Sequence, residues 1–277
     1  WSAAEMMVKP VEGAPAPGSP AWDRAFRAWL PRWIDGLAAR CVAVDRHMNY
    51  ILDEPGIRGG PDVEEFIRIA SLFKSVDPRV RIFANAAAGG GASNDHLDRL
   101  NKVVDVFDPI YSDPATSAPM RRVLGYGKRT WSYECGDGAK DQVRMRYYWE
   151  PLWNGAAVGL TGFGLWSYAG RGVDFWKGPG ADVGCCDWEL VYHGAEGSVI
   201  PSHRWQGVRI GVEDYIRLEM LRESASRAAA RGDTNRAAFL AERRAVLIRD
   251  VVDSGCDEAV AARARAEIRA LLNEEAR

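Results

Sequence analysis

Several features that mark particular protein classes are missing from this sequence of 277 residues. Its 36 Lys and Arg residues are balanced by 38 Asp and Glu residues, which argues against nucleic-acid binding because that usually requires a basic excess. No apolar run reaches the roughly 20 residues that span a bilayer, so we expect no membrane span. Five scattered cysteines without a CxxC pair indicate neither a disulfide framework nor a zinc site. No nucleotide-binding glycine motif follows a predicted strand, and we expect neither a cofactor nor a metal.

Short apolar segments alternate with helical ones over the first two thirds of the chain. The patterns predict strands at 50–52, 81–86, 103–111, 129–135 and 159–168, and helices at 21–40, 62–74, 95–102, 115–123 and 142–157. Pro31 is expected to kink or divide the first helix. Alternating strands and helices indicate βαβ units and a parallel sheet, so the predicted fold class is α/β.

The last part of the chain has a different character. From about residue 206 it becomes helical, with one long helix or two followed by helices at 235–250 and 257–276. After Tyr215 the only aromatic residue is Phe239, and charges of both signs alternate, which is typical of solvated helix faces. We interpret residues 222–277 as a helical C-terminal extension that packs on the preceding domain or on a partner subunit.

Polar and aromatic residues gather where the predicted strands end. Asp53 and Glu54 directly follow an apolar strand, and later strand ends carry Asn85, Tyr111, Asp113, Trp131, Tyr133, Glu134, Trp166 and Tyr168. Parallel α/β folds bind ligands at the carboxyl ends of their strands. Two close carboxylates push their pKa values apart, which suits general acid catalysis, and aromatic rings stack on sugars. The pattern indicates a carbohydrate site, with an ordinary turn and core tryptophans as the alternative.

Six segments resemble glycoside hydrolase family 123 and the related domain of unknown function 4091. They are YILDEP (50–55), RIFAN (81–85), DVFDP (105–109), TWSYEC (130–135), GFGLWSY (162–168) and, most specifically, LVYHGAEGSVIPSHRWQGVRIGVEDYIRLEML (190–221). The resemblance implies a (β/α)8 TIM barrel, of which residues 1–221 carry about strands 4 to 8. It also implies hydrolysis of terminal β-linked N-acetylhexosaminides of the N-acetylgalactosaminide type, with a glycan or glycoconjugate as substrate.

The resemblance further implies roles for individual residues. Glu54 would be the general acid/base, and Asp53 would orient the 2-acetamido group as its carbonyl oxygen attacks the anomeric carbon, in a retaining, substrate-assisted mechanism. Such a mechanism needs no second carboxylate about 5–5.5 Å across the sugar, which neighbouring strand residues do not naturally provide. Tyr133 is a candidate donor to the acetamido carbonyl, and Trp131 and Trp166 are candidate pocket walls.

Other hypotheses stay open beside this one. The chain could be a glycosidase of the same superfamily with another sugar specificity, or a noncatalytic carbohydrate-binding or assembly subunit. Five strands leave an unpaired sheet edge, so another chain or an upstream segment is expected to complete the barrel. The helical extension could also join copies of the chain into a homo-oligomer. Four charged residues near the last predicted barrel helix are interpreted as mainly structural: Arg204, Arg209, Glu213 and Asp214.

The sequence also bears on localisation and cysteine chemistry. Secretion or the periplasm is expected because glycosidases that degrade polymers are usually exported. The cytoplasm is the alternative, since no signal peptide is visible and the cysteines look free. Cys185 and Cys186 lie in a glycine-rich loop, where we expect two ordinary thiols, with a strained vicinal disulfide as the alternative.

Overall fold

The computed structural model divides the chain into two compact units, Trp1–Tyr133 and Glu134–Arg277. It describes residues 13, 15–16, 18–56, 59–86, 92–111, 114, 117–134, 145–165, 168 and 190–275. None of the helices in these ranges is long and apolar enough to cross a membrane.

The first unit alternates helices with parallel strands. Its helices are α1 (Pro20–Ala38), α2 (Gly60–Val76), α3 (Asn94–Leu100) and α4 (Ala118–Gly125), with a 3-10 turn at Val44–Arg46. Its strands are β1 (Met48–Tyr50), β2 (Arg81–Ala84), β3 (Val106–Phe107) and β4 (Arg129–Thr130), followed by β5 (Ser132–Glu134) at the boundary of the units. The four-stranded sheet is parallel and runs β1-β2-β3-β4, in chain order. The predicted α/β class is confirmed, and strands that neighbour each other in chain order are also the arrangement of a (β/α)8 barrel.

Helix α1 shows why the predicted division at Pro31 does not occur. The helix begins after Ser19, whose hydroxyl accepts a hydrogen bond from the Trp22 backbone N–H at 3.1 Å. Trp22, Phe26 and Leu30 recur every four residues and are buried on one face. The Phe26 ring meets the ring of Phe73 on α2 edge-on at 4.8 Å. Packing of this face outweighs the hydrogen bond that proline cannot donate, and the helix continues through Pro31.

One face of the sheet is covered by the helices. Ile82, Ala84 and Phe107 are fully buried, in the same core cluster as the apolar faces of the helices. Successive strand residues point to opposite faces. Asn85, which follows Ala84, and Asp108, which follows Phe107, therefore extend from the face opposite the helices of this unit, called here the helix-free face, at the carboxyl ends of the strands.

The second unit contains a helical bundle and short strands. Its helices are α5 (Glu150–Val158), α6 (His203–Ala230), α7 (Thr234–Asp253) and α8 (Glu258–Glu275), with 3-10 turns at Met145–Tyr148 and Ala195–Gly197. Its strands are β6 (Phe163–Leu165) and an antiparallel pair, β7 (Val191–His193) and β8 (Val199–Pro201), which the sequence patterns did not indicate. The helices predicted from about residue 206 are confirmed. The first, expected as one long helix or two, is the single helix α6, and those predicted at 235–250 and 257–276 are α7 and α8.

The helical extension shares a core with the helices before it. Trp153 of α5, Leu218 and Leu221 of α6 and Ile268 of α8 are buried in one cluster. Helix α6 runs without interruption across the predicted domain boundary at residue 221. The alternation of charges describes the outer faces of these helices, while their inner faces form a hydrophobic core.

Charged residues tie the extension to that core. The carboxylate of Asp214 is 1% exposed, accepts a hydrogen bond from the Trp153 indole N–H at 3.0 Å, and accepts another from Arg265 Nε at 2.8 Å. Burial raises the pKa of Asp214 and Arg265 opposes that rise. Asp214 is thus placed as a structural residue, whereas Arg209 and Glu213 form an exposed pair on α6.

Glycine allows α6 to approach α5 closely. A Cβ atom at Gly211 would lie 2.9 Å from the Cα of Trp149 and would clash with the side chain of Leu152. A Cβ atom at Gly36, inside α1, would meet nothing closer than the end of the Arg40 side chain at 3.8 Å.

We expect Gly211→Ala to lower the free energy of unfolding by about 1–3 kcal/mol, because overpacking forces the two helices apart. The matched control, Gly36→Ala, should raise it by about 0.5–1 kcal/mol through helix propensity. Urea denaturation followed by circular dichroism measures both. Equal effects of the two substitutions would contradict the close approach.

Candidate functional site

The register of the sheet places the strand ends side by side. Phe83 pairs with Val106, and Val106 with Arg129. The ladder continues one step further, because the Asp108 N–H donates to the Ala84 carbonyl at 2.8 Å and the Trp131 N–H to the Phe107 carbonyl at 2.7 Å. Asn85, Asp108 and Trp131 therefore form a row across three strands, on the face that the helices leave uncovered.

Asn85 joins the carboxylate of Asp53 to the backbone of Glu54. Its Nδ2 donates a hydrogen bond to Asp53 Oδ1 at 2.8 Å, and its Oδ1 accepts one from the Glu54 backbone N–H at 2.9 Å. Asn85 is 9% exposed, so these bonds form largely away from solvent. The residue predicted to bind substrate thus acts in this structure as a bridge that holds Asp53 against the backbone of Glu54.

A tyrosine hydroxyl contacts each carboxylate. Tyr50 donates to Asp53 Oδ1 and Tyr133 donates to Glu54 Oε1. Burial, followed by the hydrogen bond to Asp53, raises the pKa of Tyr50, which keeps its hydroxyl protonated as a donor. These bonds occupy Oδ1 of Asp53 and Oε1 of Glu54, whereas Oδ2 of Asp53 and Oε2 of Glu54 take no part in the contacts among the described residues.

The backbone of Glu54 explains how neighbouring residues can serve one site. Its φ is 44°, in the left-handed region that non-glycine residues rarely adopt. Strand β1 ends at Tyr50, so strand alternation does not govern Asp53 and Glu54, and the Glu54 side chain reaches Tyr133 on β5. Asp53 is exposed and Glu54 is partly buried. The two carboxylates occupy different environments at the same end of the sheet.

Asp108 is a site residue that the strand-end reasoning missed. It directly follows β3, just as Asn85 follows β2, and this position within the DVFDP segment was the available signal. Its Oδ1 is buried and has no hydrogen-bond partner within the described part of the chain. Burial raises the pKa of Asp108 to about 7.

Aromatic rings border the row of polar groups. The ring of Phe83 lies 5.7 Å from the ring of Tyr50 on one side and 5.7 Å from the ring of Trp131 on the other. Trp131 is only partly buried. Such rings offer an apolar surface on which the C–H face of a sugar can stack.

The remaining predicted residues make other contacts. Tyr111 donates its backbone N–H to the Tyr133 carbonyl at 2.9 Å, which continues the parallel pairing. In the second unit, Glu134 accepts a hydrogen bond from the Tyr147 hydroxyl at 3.3 Å, and the Tyr168 ring meets Trp205 edge-on at 5.6 Å. Asp113, Trp166, Cys185 and Cys186 lie outside the described residues.

Within the described ranges, no group of three or more His, Cys, Asp or Glu side chains is arranged to hold a metal ion. Cys41 is an exposed free thiol and Cys256 a buried one, and burial raises the pKa of Cys256 to about 11.

The chain was also compared with known proteins. No protein-family model and no curated protein matches it. Among solved structures, an endo-β-1,4-mannanase from Thermotoga petrophila is similar, with 14% identity and a TM-score of 0.46 over 72% of this chain and 51% of that one. An endo-1,4-β-mannanase from Rhizomucor miehei shows 13% identity and a TM-score of 0.38 over 55% of this chain and 54% of that one. The chain thus spans about half the length of either enzyme, and likeness at this level carries no information on substrate.

The contact between Asn85 and Asp53 predicts that a negative charge placed at position 85 lowers the free energy of unfolding by an amount that depends on pH. In Asn85→Asp a second carboxylate faces Asp53, and like charges raise the pKa of such a pair in the folded state. A carboxyl whose pKa is raised on folding stabilises the protein below its unfolded pKa and loses that contribution as the pH rises. We expect Asn85→Asp to be more destabilising at pH 8 than at pH 4.

Asn85→Ala is the matched control because it removes the same hydrogen bonds without adding a titrating group. It should cost about 1–3 kcal/mol at both pH values. Urea denaturation at the two pH values measures the difference. A pH dependence of Asn85→Asp no greater than that of Asn85→Ala would contradict the placement of Asn85 against Asp53.

Proposed function

We propose that the chain is a glycoside hydrolase acting on terminal β-linked N-acetylhexosaminides of the N-acetylgalactosaminide type, related to glycoside hydrolase family 123 and domain of unknown function 4091. One observation carries the proposal. Asp53 and Glu54, at the end of an apolar strand, are joined through Asn85 and each receives a tyrosine hydroxyl.

The arrangement suits substrate assistance better than a protein nucleophile. Retaining enzymes with a protein nucleophile hold two carboxyls on opposite sides of the scissile bond. Here the pair comes from adjacent residues that share one amide bridge. One carboxylate can exchange a proton with the leaving oxygen while the other holds the group that attacks.

The proposed reaction has two steps. In the first step, Glu54 Oε2 gives its proton to the glycosidic oxygen, and the acetamido carbonyl oxygen forms a bond to the anomeric carbon as the alcohol leaves. During this step Asp53 Oδ2 accepts a hydrogen bond from the acetamido N–H. In the second, Glu54 takes a proton from water, whose oxygen attacks the anomeric carbon and releases the acetamido oxygen. The anomeric configuration is retained because two displacements occur, and water supplies the atoms added to sugar and alcohol.

The tyrosines support these two roles. Tyr133 holds Glu54 by Oε1, which fixes the side chain while Oε2 exchanges the proton. Tyr50 and Asn85 both donate to Asp53 Oδ1, which directs Oδ2 toward the substrate. The partly exposed Trp131 ring supplies a surface against which the sugar can stack.

Glu54→Gln tests the proposal. With an aryl N-acetyl-β-D-galactosaminide that has a poor leaving group, we expect kcat to fall by about 10²–10⁴-fold, which is the usual contribution of general acid catalysis. With a 4-nitrophenyl leaving group the loss should be smaller, because that oxygen needs less protonation to leave. Initial rates on the two substrates measure the difference.

Glu196→Gln is the matched control, since Glu196 also has a positive φ, of 55°, and lies exposed in a turn of the second unit. It should leave kcat unchanged. Unchanged turnover by Glu54→Gln would overturn the assignment. Equal cleavage of the matching galactoside, which lacks the acetamido group, would favour another sugar specificity. Glycan binding without turnover by the unsubstituted chain would identify a binding subunit.

A further inference from the structure

Asp108 stands where a ligand would meet it. It is in register with Asn85 on one side and with Trp131 on the other, on the helix-free face of the sheet. Neighbouring strands lie about 4.8 Å apart, so the backbones of β1 and β3 are about 10 Å apart. Asp53 follows β1 and Asp108 follows β3, so both carboxyls lie at the carboxyl end of the same parallel sheet, where α/β folds bind ligands.

The backbone around Asp108 is fixed on both sides. Its N–H donates to the Ala84 carbonyl at 2.8 Å. The carbonyl of Pro109 accepts the Tyr133 N–H at 3.1 Å and the Ser132 hydroxyl at 2.8 Å. The carboxyl group is held by sheet pairing, and its position does not depend on a partner for its own side chain.

The unpaired oxygen of Asp108 is the observation that indicates a ligand. Oδ1 of Asp108 is buried without a hydrogen-bond partner among the described residues, and leaving such a group unsatisfied opposes folding. Burial raises the pKa of the carboxyl to about 7, as expected for a group that has lost water without gaining a donor. A bound molecule would supply the hydrogen-bond donor that the described residues do not.

We propose that Asp108 is a substrate-binding residue whose carboxyl group accepts a hydrogen bond from a hydroxyl group of the sugar held at Asp53 and Glu54. The assignment rests on the proposed glycosidase function and adds a contact that reads the hydroxyl pattern of the substrate. The sugar then lies between Asp108 and Asp53, beside the ring of Trp131.

The test separates binding from folding. Measured above pH 7, where the carboxyl is ionised, Asp108→Ala removes the acceptor and should lower kcat/KM on the aryl N-acetyl-β-D-galactosaminide by about 10–100-fold, the value of a hydrogen bond to a charged group. Asp108→Asn keeps a weaker acceptor and should lose less. Because Oδ1 of the native carboxyl has no donor among the described residues, Asp108→Asn should unfold at the same urea concentration as the unsubstituted chain, or at a higher one.

Asp105→Asn is the matched control from the same segment. The Asp105 carboxylate pairs with Lys74 and accepts the Ile82 backbone N–H at 2.8 Å. Its loss should lower the urea midpoint and leave the kcat/KM of the folded protein unchanged. Asp108→Asn should therefore lower kcat/KM without lowering the urea midpoint, and Asp105→Asn should lower the urea midpoint without lowering kcat/KM.

A series of aryl glycosides, each lacking one sugar hydroxyl, identifies the contact. One member should lose at least 10-fold in kcat/KM with the unsubstituted chain and show no further loss with Asp108→Ala. Three results would overturn this inference alone. The first is unchanged kcat/KM in Asp108→Ala, and the second is a fall in both activity and urea midpoint in Asp108→Asn. The third is that Asp108→Ala still loses kcat/KM with every missing hydroxyl. Absence of both turnover and glycan binding in the unsubstituted chain would overturn the proposed function with it.

Discussion

The parallel register from β1 to β4 is the constraint on which the candidate site depends. A slip of one residue would move every side chain of a strand to the other face of the sheet. Ile82, Ala84 and Phe107 would then leave the helix-covered core in which they are fully buried. The burial of these apolar residues therefore also fixes Asn85 and Asp108 on the opposite face. The register of the parallel strands therefore determines both the packing of the core and the geometry of the candidate site.

The turn after β1 shows how that alignment supports an unfavourable conformation. A non-glycine residue with positive φ costs about 1–3 kcal/mol and persists only where its surroundings hold it. Glu54 is held at its backbone by Asn85, at its side chain by Tyr133, and on its C-terminal side by the buried Pro55 and Gly56. The contacts come from three strands, so the conformation depends on the assembled sheet.

The sequence predicted what depends on periodicity and failed where distant residues decide the outcome. Alternating strands and helices, and the gathering of Asp53, Glu54 and Asn85 at strand ends, follow from local patterns. The conformation of Glu54 does not, because it is set by an asparagine 31 residues away along the chain. Tyr50 was counted only as a strand residue, although the hydroxyl of such a ring reaches past the strand end. The residues of the core that the helical extension shares with α5 and α6 were not predicted, because charge alternation describes only the outer faces of helices.

The segment at 105–109 contains two aspartates in contrasting environments. At the amino end of β3, Asp105 is satisfied by Lys74 and by the Ile82 backbone, and it stabilises the sheet. At the carboxyl end, Asp108 is held by the same strand but its Oδ1 is left without a donor in the described structure. A fold selected for stability alone would place an apolar or a paired residue there, since an unsatisfied buried group opposes folding. In parallel α/β proteins such exceptions are expected at the carboxyl ends of strands, where ligands bind. The contrast within a single short strand therefore separates the part of the sheet that supports the fold from the part that is available for chemistry.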